Sequence, residues 1–273
     1  MKLIKLVSII AFALASGFAF AAAPGNIAVG SVEGTVVVTA ADGVEKQLVA
    51  GYVIRENSRV STGKDSTAKF ILANGTVVVL KPNTTLDVSQ FEQNNPAAVN
   101  GQDYSTFVTE PEATAGSLTT VRLVKGTAMF KVAKLLPGSK FTVKTSAGNI
   151  AVKGTTFYVT VSGASVSAGC IDGAIAVSPT GRATLTLTSG KSATISGTSG
   201  SLSFGRASVA LTNEAKTAFA EEETKKAASS TTGTGSADAF DVTMPPASVE
   251  GPIGSDRISE VNSASSVGDG RLY

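Results

Sequence analysis

The 273-residue sequence contains no histidine, no tryptophan and a single cysteine. Without an imidazole to activate a nucleophile or bind zinc, His-dependent hydrolases and His-ligated metal sites are excluded. One cysteine also excludes an internal disulfide or a thiolate cluster. The sequence has no phosphate loop and no Gly-x-Ser-x-Gly elbow. We therefore expect no metal, no cofactor and no enzymatic activity; the enzymatic alternative is a Ser-Lys dyad or carboxylate pair assembled from distant residues.

The N-terminus has the order of a secretory signal. Lys2 and Lys5 precede an apolar run over residues 6–20, which ends in small residues that include Ala19 and Ala21. This pattern predicts a signal peptide over residues 1–21, cleaved after Ala21. The alternative, an uncleaved anchor, is short of the roughly 20 apolar residues needed to span a membrane. The mature chain is thus predicted to lack a transmembrane segment and to be exported, to the periplasm or the cell surface.

Charge is balanced overall but uneven along the chain. Without residues 1–21 the sequence has 21 basic and 21 acidic side chains, which argues against a nucleic-acid partner. Residues 22–117 have a net charge of −4, residues 118–206 of +9 and residues 207–273 of −5. The middle segment is therefore a candidate for contact with an anion.

Short apolar or alternating runs separated by glycine turns predict strands from residue 27 to about 211. Asp42-Gly43 and Asn74-Gly75 mark hairpins. The predicted fold is all-β, a β-sandwich or β-solenoid over residues 22–211, with a polar excursion at about 90–116. A short charged helix over 212–228 is supported by the spacing of Glu221 with Lys225, and a disordered tail is expected over 229–273.

Alternation along the strands separates inward from outward side chains. The inward set is Val121, Leu123, Ala128, Phe130, Val132, Phe141, Val143, Phe157, Val159 and Val161. The outward set is basic, and we expect it to form one face: Arg122, Lys131, Lys140, Lys144 and Lys153. Such a face would attract an acidic envelope glycan, an acidic receptor segment or the chain's own acidic tail. The alternative is a solvated exterior whose lysines discourage aggregation.

Two further features have structural interpretations. Gly-Thr pairs begin at positions 34, 75, 126 and 154, at intervals too irregular for a repeat array. We interpret each pair as a glycine that closes a turn and a threonine that begins the next strand. Cys170 is expected to be a small buried hydrophobe, with pairing between chains as the alternative.

Three sequence blocks belong together: residues 60–68 with 73–77, residues 135–145, and Val152-Lys153-Gly154-Thr155-Thr156-Phe157. They resemble the FecR domain of bacterial envelope proteins, and the third block is similar to the family's Val-Arg-Gly-Thr-x-Phe hallmark. The likeness runs from about residue 30 to residue 195. Two positions depart from the pattern, since Ser146 replaces a usual proline and Lys153 a usual arginine. Lysine keeps the charge but not the two-pronged donor geometry of arginine.

The resemblance implies a binding or scaffold role without naming a ligand. Founding members of the family are membrane regulators that relay an outer-membrane receptor's state to a sigma factor; this sequence is similar to the exported, stand-alone versions. We expect an exported sensory-type binding module that recognises another envelope component, either a protein or an anionic glycan. The alternative function is a structural cell-surface or matrix protein with a β body and an acidic tail.

Overall fold

The computed structural model describes residues 22–94, 116–196 and 200–231. Within these residues the chain forms eighteen strands and one helix, α1 (Val209–Thr231). The strands are β1 (Ala22–Pro24), β2 (Ile27–Glu33), β3 (Val36–Thr39), β4 (Glu45–Gln47), β5 (Val53–Ile54), β6 (Ser58–Thr62), β7 (Thr67–Leu72), β8 (Val77–Leu80), β9 (Thr85–Asn94), β10 (Ser117–Lys131), β11 (Lys140–Thr145), β12 (Gly148–Val152), β13 (Thr156–Ser162), β14 (Ser165–Asp172), β15 (Ala174–Pro179), β16 (Leu185–Thr188), β17 (Lys191–Ser196) and β18 (Ser201–Arg206).

These strands form two open sheets that share β10. Sheet A has the order β4-β3-β6-β9-β10-β11-β12-β15-β16, with β1 also paired to β9. Sheet B has the order β5-β2-β7-β8-β10-β13-β14-β17-β18. All pairs are antiparallel except β10 with β11. The all-β prediction is confirmed. Of the two predicted alternatives, β-sandwich and β-solenoid, the structure is the sandwich, because two sheets enclose one core.

The inner faces of the two sheets enclose one hydrophobic core. All ten residues predicted to point inward are buried there. At its centre the Phe130 ring stacks on Phe157, with centroids 4.8 Å apart, and meets Phe141 edge to face at 5.9 Å. Cys170 is also buried in this core, as predicted.

The chain changes sheet repeatedly, and glycine-threonine pairs mark three of these corners. Gly34 lies between β2 of sheet B and β3 of sheet A, Gly126 lies where β10 leaves sheet A for sheet B, and Gly154 links β12 to β13. At Gly126, where φ is +87°, a Cβ would lie 2.5 Å from the Thr84 Cα, so no larger residue fits. The fourth pair, at Gly75, closes the predicted β7–β8 hairpin. The predicted β3–β4 hairpin at Asp42-Gly43 is likewise confirmed.

Helix α1 packs on the outer face of sheet B. Its buried residues Ala215 and Phe219 contact a second apolar cluster that includes Ile71, Val79 and Met129. Because β7 and β8 are covered on both faces, the end of β7 (residues 70–72) and the whole of β8 are continuous apolar runs rather than alternating ones. The helix predicted over residues 212–228 spans Val209–Thr231.

Polar contacts also attach α1 to sheet B. The Lys69 ammonium donates to the Ala218 carbonyl at 3.0 Å, and Lys81 pairs with Glu214 at 2.8 Å. The predicted signal peptide, most of the polar excursion (95–115) and nearly all of the predicted tail (232–273) lie outside the described residues.

Candidate anion-binding face

Four of the five predicted basic residues lie on the outer face of sheet A. Arg122 on β10 and Lys140 and Lys144 on β11 are exposed between buried neighbours, and Lys153 follows the same outward phase just beyond β12. Lys131 instead lies on the outer face of sheet B, because β10 has already crossed to that sheet. The structure therefore brings together Arg122, Lys140, Lys144 and Lys153, and separates Lys131 from them.

A row of polar side chains crosses the middle of this face, one residue from each successive strand. From β4 to β15, the registers of neighbouring strands give Glu45, Thr39, Arg59, Asp87, Arg122, Lys144, Asn149 and Ser178. We call these eight residues the central row. It contains three cations and two carboxylates, so its net charge is positive.

Arg59 neutralises Asp87, the carboxylate of the central row that lies beside Arg122. Its Nε and Nη2 donate to the two Asp87 oxygens at 2.6 and 3.0 Å, a two-pronged geometry. The hydrogen bond from Arg59 to Asp87, followed by their mutual attraction, raises the pKa of Arg59. Asp87 is thus satisfied by Arg59, although its strand register also places it beside Arg122.

Arg122 and Lys144 are direct neighbours across the parallel β10–β11 pair. Like charges placed opposite each other on a sheet destabilise it, by an amount of order 0.2–1 kcal/mol. Among the described residues neither side chain forms an ion pair, and Lys144 has the neutral Asn149 on its other side. An anion lying between the two cations would remove their repulsion.

Lys140 and Lys153 form a second pair of neighbouring cations on the same face. They lie one position beyond the last registered β11–β12 pair, Phe141 with Val152, and so project side by side. Lys140 is in register with the exposed Leu118, which separates it from Glu92 on β9. We use the name anion-binding face for Arg122, Lys140, Lys144 and Lys153 together.

The surface of the two sheets has two clefts. An open groove of about 440 Å³ on sheet A is lined by hydroxyl groups and by the Arg59–Asp87 pair. A second cleft, of about 370 Å³, lies between α1 and sheet B, and its lining includes Lys131, Asp172 and Lys216. The alternation of the sequence identified outward lysines, but it gave no signal for the Arg59–Asp87 pair, whose members come from strands 28 residues apart.

The motif from Val152 to Phe157 forms the corner where the chain passes from sheet A to sheet B. Val152 is buried at the end of β12, and Phe157 fills the centre of the core. At Gly154, where φ is +115°, a Cβ would lie 3.0 Å from the Lys134 Cα. Thr155 exchanges backbone hydrogen bonds with Val132, and its hydroxyl donates to the Ala174 carbonyl at 3.0 Å. Only Lys153 in this motif is free of such structural contacts and exposed.

Residues 58–176, from β6 into β15, match the model of the family described as FecR protein. This segment is a FecR domain. It contains the corner motif and all four cations of the anion-binding face. A comparison with curated proteins gives no match.

Among solved structures, the chain is similar to a candidate anti-sigma factor from Parabacteroides distasonis, in two crystal structures. The sequence identities are 17% and 19%, and the TM-scores are 0.41 and 0.40. Each match covers 54% of this chain and 59% of the solved one, so the chain spans little more than half of the length of those structures.

Two departures from the FecR pattern can be placed in the structure. Ser146 lies in the β11–β12 turn, which the Thr145 hydroxyl closes by donating to the Gly148 carbonyl at 2.8 Å. Lys153, in the position of the usual arginine, points outward from the corner. No helix within the described parts of this chain is long and apolar enough to cross a membrane.

Proposed function

We propose that this chain, with its FecR domain, is an exported, non-enzymatic binding module of sensory type, and that it recognises an acidic envelope component through the anion-binding face. The observation that carries the proposal is the direct opposition of Arg122 and Lys144. A sheet that served only as a scaffold would be more stable with one of these charges replaced. Local costs in stability of this kind are found at functional sites, where function needs the unfavourable arrangement.

The distribution of charge around the face supports an anionic ligand. The nearest carboxylate in the same row, Asp87, is held by Arg59 in a two-pronged pair. The next one on the sheet, Glu92, is separated from Lys140 by Leu118. The four cations of the face therefore present an attractive potential to a partner that carries several negative charges.

The chemistry of the described residues supports binding rather than catalysis. The anion-binding face is made of cations, and the central row adds the Asn149 carboxamide and the hydroxyls of Thr39 and Ser178, which form hydrogen bonds without activating a nucleophile. The one thiol of the chain, Cys170, is buried, and its burial, with the nearby Asp172, raises its pKa to about 11. It is therefore kept as an unreactive thiol.

The test uses retention of the purified chain on a sulfated polysaccharide matrix, eluted by a salt gradient. Arg122→Gln with Lys144→Gln should elute at lower salt than the parent chain. The matched control, Lys191→Gln with Lys216→Gln, removes the same charge from the sheet B side and should elute close to the parent. Retention should weaken between about 0.1 M and 1 M salt, as the Debye length falls from about 10 Å to about 3 Å.

A stability measurement on Lys144→Gln separates loss of binding from loss of folding. Removing one of two opposed cations should leave the melting temperature unchanged or slightly raised, because the repulsion with Arg122 disappears. If both double variants lose retention equally, the matrix is sensing net charge and the face is not a site. If Lys144→Gln melts well below the parent, the opposition of charges is not a stability cost and the proposal loses its main support.

A further inference from the structure

Strand β18 differs from the other edge strands of the sandwich. It pairs only with β17 among the described residues, and its six residues include no charge before Arg206. The other edges are short or polar: β4 is Glu45–Gln47, β5 has two residues and β16 has four. A long uncharged edge presents unpaired backbone groups to any other strand.

The side chains of β18 add an exposed apolar surface to this edge. Leu202 and Phe204 are in register with Ile195 and Ala193, which face the core, so both point to the inner side of sheet B. Leu202 reaches the core, but Phe204 remains 66% exposed. The exposed Phe204 ring lies next to the open strand edge, so a strand added at that edge would cover both the ring and the unpaired backbone groups.

The backbone of β18 has a defined orientation at the free edge. The Ala207 amide donates to the Gly190 carbonyl at 2.9 Å, which continues the ladder between β17 and β18. Because successive residues of an antiparallel strand direct their hydrogen bonds to opposite sides, the amides and carbonyls of Leu202 and Phe204 face the open edge.

We infer that β18 pairs with β18 of a second copy of this chain, antiparallel and about a two-fold axis at Ser203. This register places Leu202 of each copy opposite Phe204 of the other, with four backbone hydrogen bonds between them. Each exposed phenyl ring then packs on a leucine, and the central contact is between two small serines. The strand is thus complementary to itself, which a two-fold interface requires.

The area buried between the two copies limits the stability of the proposed dimer. A pairing of about five residues per copy buries far less than the roughly 1,000 Å² expected of a stable specific interface. The dimer is therefore a weak, concentration-dependent one that joins sheet B of two copies into a single continuous sheet. This self-association is independent of the anion-binding face, which lies on sheet A.

Cysteine cross-linking tests the register directly. In the proposed dimer the two Ser203 Cα atoms form a non-hydrogen-bonded pair about 4.5 Å apart, which lies within the range that a disulfide can bridge. Ser203→Cys should therefore give a covalent dimer under mild oxidation. Thr186→Cys, at an exposed position on the β16 edge, is the matched control and should remain mostly monomeric. The native Cys170 is buried and should not contribute.

A second pair of variants tests the reversible dimer by sedimentation equilibrium. Ser203→Lys places two ammonium groups opposite each other and should weaken the dimer by about fivefold, whereas Thr186→Lys should not change it. Three results would overturn the inference: equal cross-linking of the two cysteine variants, a parent chain that stays monomeric at every concentration, or a dimer that Ser203→Lys does not affect.

Discussion

Replacing Phe157 with alanine tests whether the corner motif is primarily structural. The Phe157 ring is fully buried at the centre of the core, and it stacks on Phe130 with an angle of 15° between the planes. Phe130 in turn meets Phe141 edge to face, so one substitution leaves a cavity bounded by both sheets.

The expected cost follows from the removed volume and the lost ring contact. A buried Phe→Ala change costs about 3–5 kcal/mol, and an aromatic pair contributes about 0.5–1.5 kcal/mol beyond its buried area. We therefore expect a loss of free energy of unfolding near the upper end of that range, against a total of about 5–15 kcal/mol. At about 2–4 °C per kcal/mol, the melting temperature should fall by roughly 10–20 °C.

Thermal and urea unfolding followed by circular dichroism measure this loss. Phe204→Ala, compared at low protein concentration, makes the same chemical change at an exposed position and should cost at most about 0.5 kcal/mol. If Phe157→Ala melts within a few degrees of Phe204→Ala, the placement of Phe157 in the core is wrong. The structural interpretation of the motif would then fail with it.

Two further predictions concern the same corner and the neighbouring thiol. Gly154→Ala should lose about 1–3 kcal/mol of stability, because a φ of +115° is strained for alanine and the Lys134 backbone is close. Gly181→Ala, at a φ of +70° in open space, should lose less. Urea unfolding of the two variants measures the difference. Since burial raises the pKa of Cys170 from 9.0 to about 11, the unfolded thiol loses its proton first as pH rises, so stability should fall between about pH 9 and pH 11. Cys170→Ala should remove this part of the pH dependence of melting; an unchanged profile would contradict it.

The sequence predicted the inside of this molecule better than its outside. Alternation placed all ten chosen core residues correctly, since burial on one face of a strand repeats every second residue. The hairpins at Asp42-Gly43 and Asn74-Gly75 were predictable because their glycines adopt positive φ. Only the role of Gly34, Gly126 and Gly154 at the corners between sheets had no separate signal, because a corner and a hairpin use the same residue types.

The outer surface could not be assembled from local patterns. Alternation shows that Arg122 and Lys131 both point outward, but a sandwich has two outer faces, and the crossing of β10 at Gly126 sends the two side chains to opposite ones. The opposition of Arg122 and Lys144 depends on a parallel pairing, and parallel partners are set by long connections rather than by turns. The charge and the exposure of each side chain were therefore predictable from the sequence, whereas its neighbours on the sheet were not.

Strand β10 gives the two sheets a covalent connection as well as a packed one. Sheets that touch only through side chains can slide past each other, and one can separate while the other persists. Here a single backbone is hydrogen-bonded to β9 and β11 in one sheet and to β8 and β13 in the other. Detaching either sheet breaks the ladder of the strand that the other needs, so the two should open together in one cooperative step, without a half-sandwich intermediate.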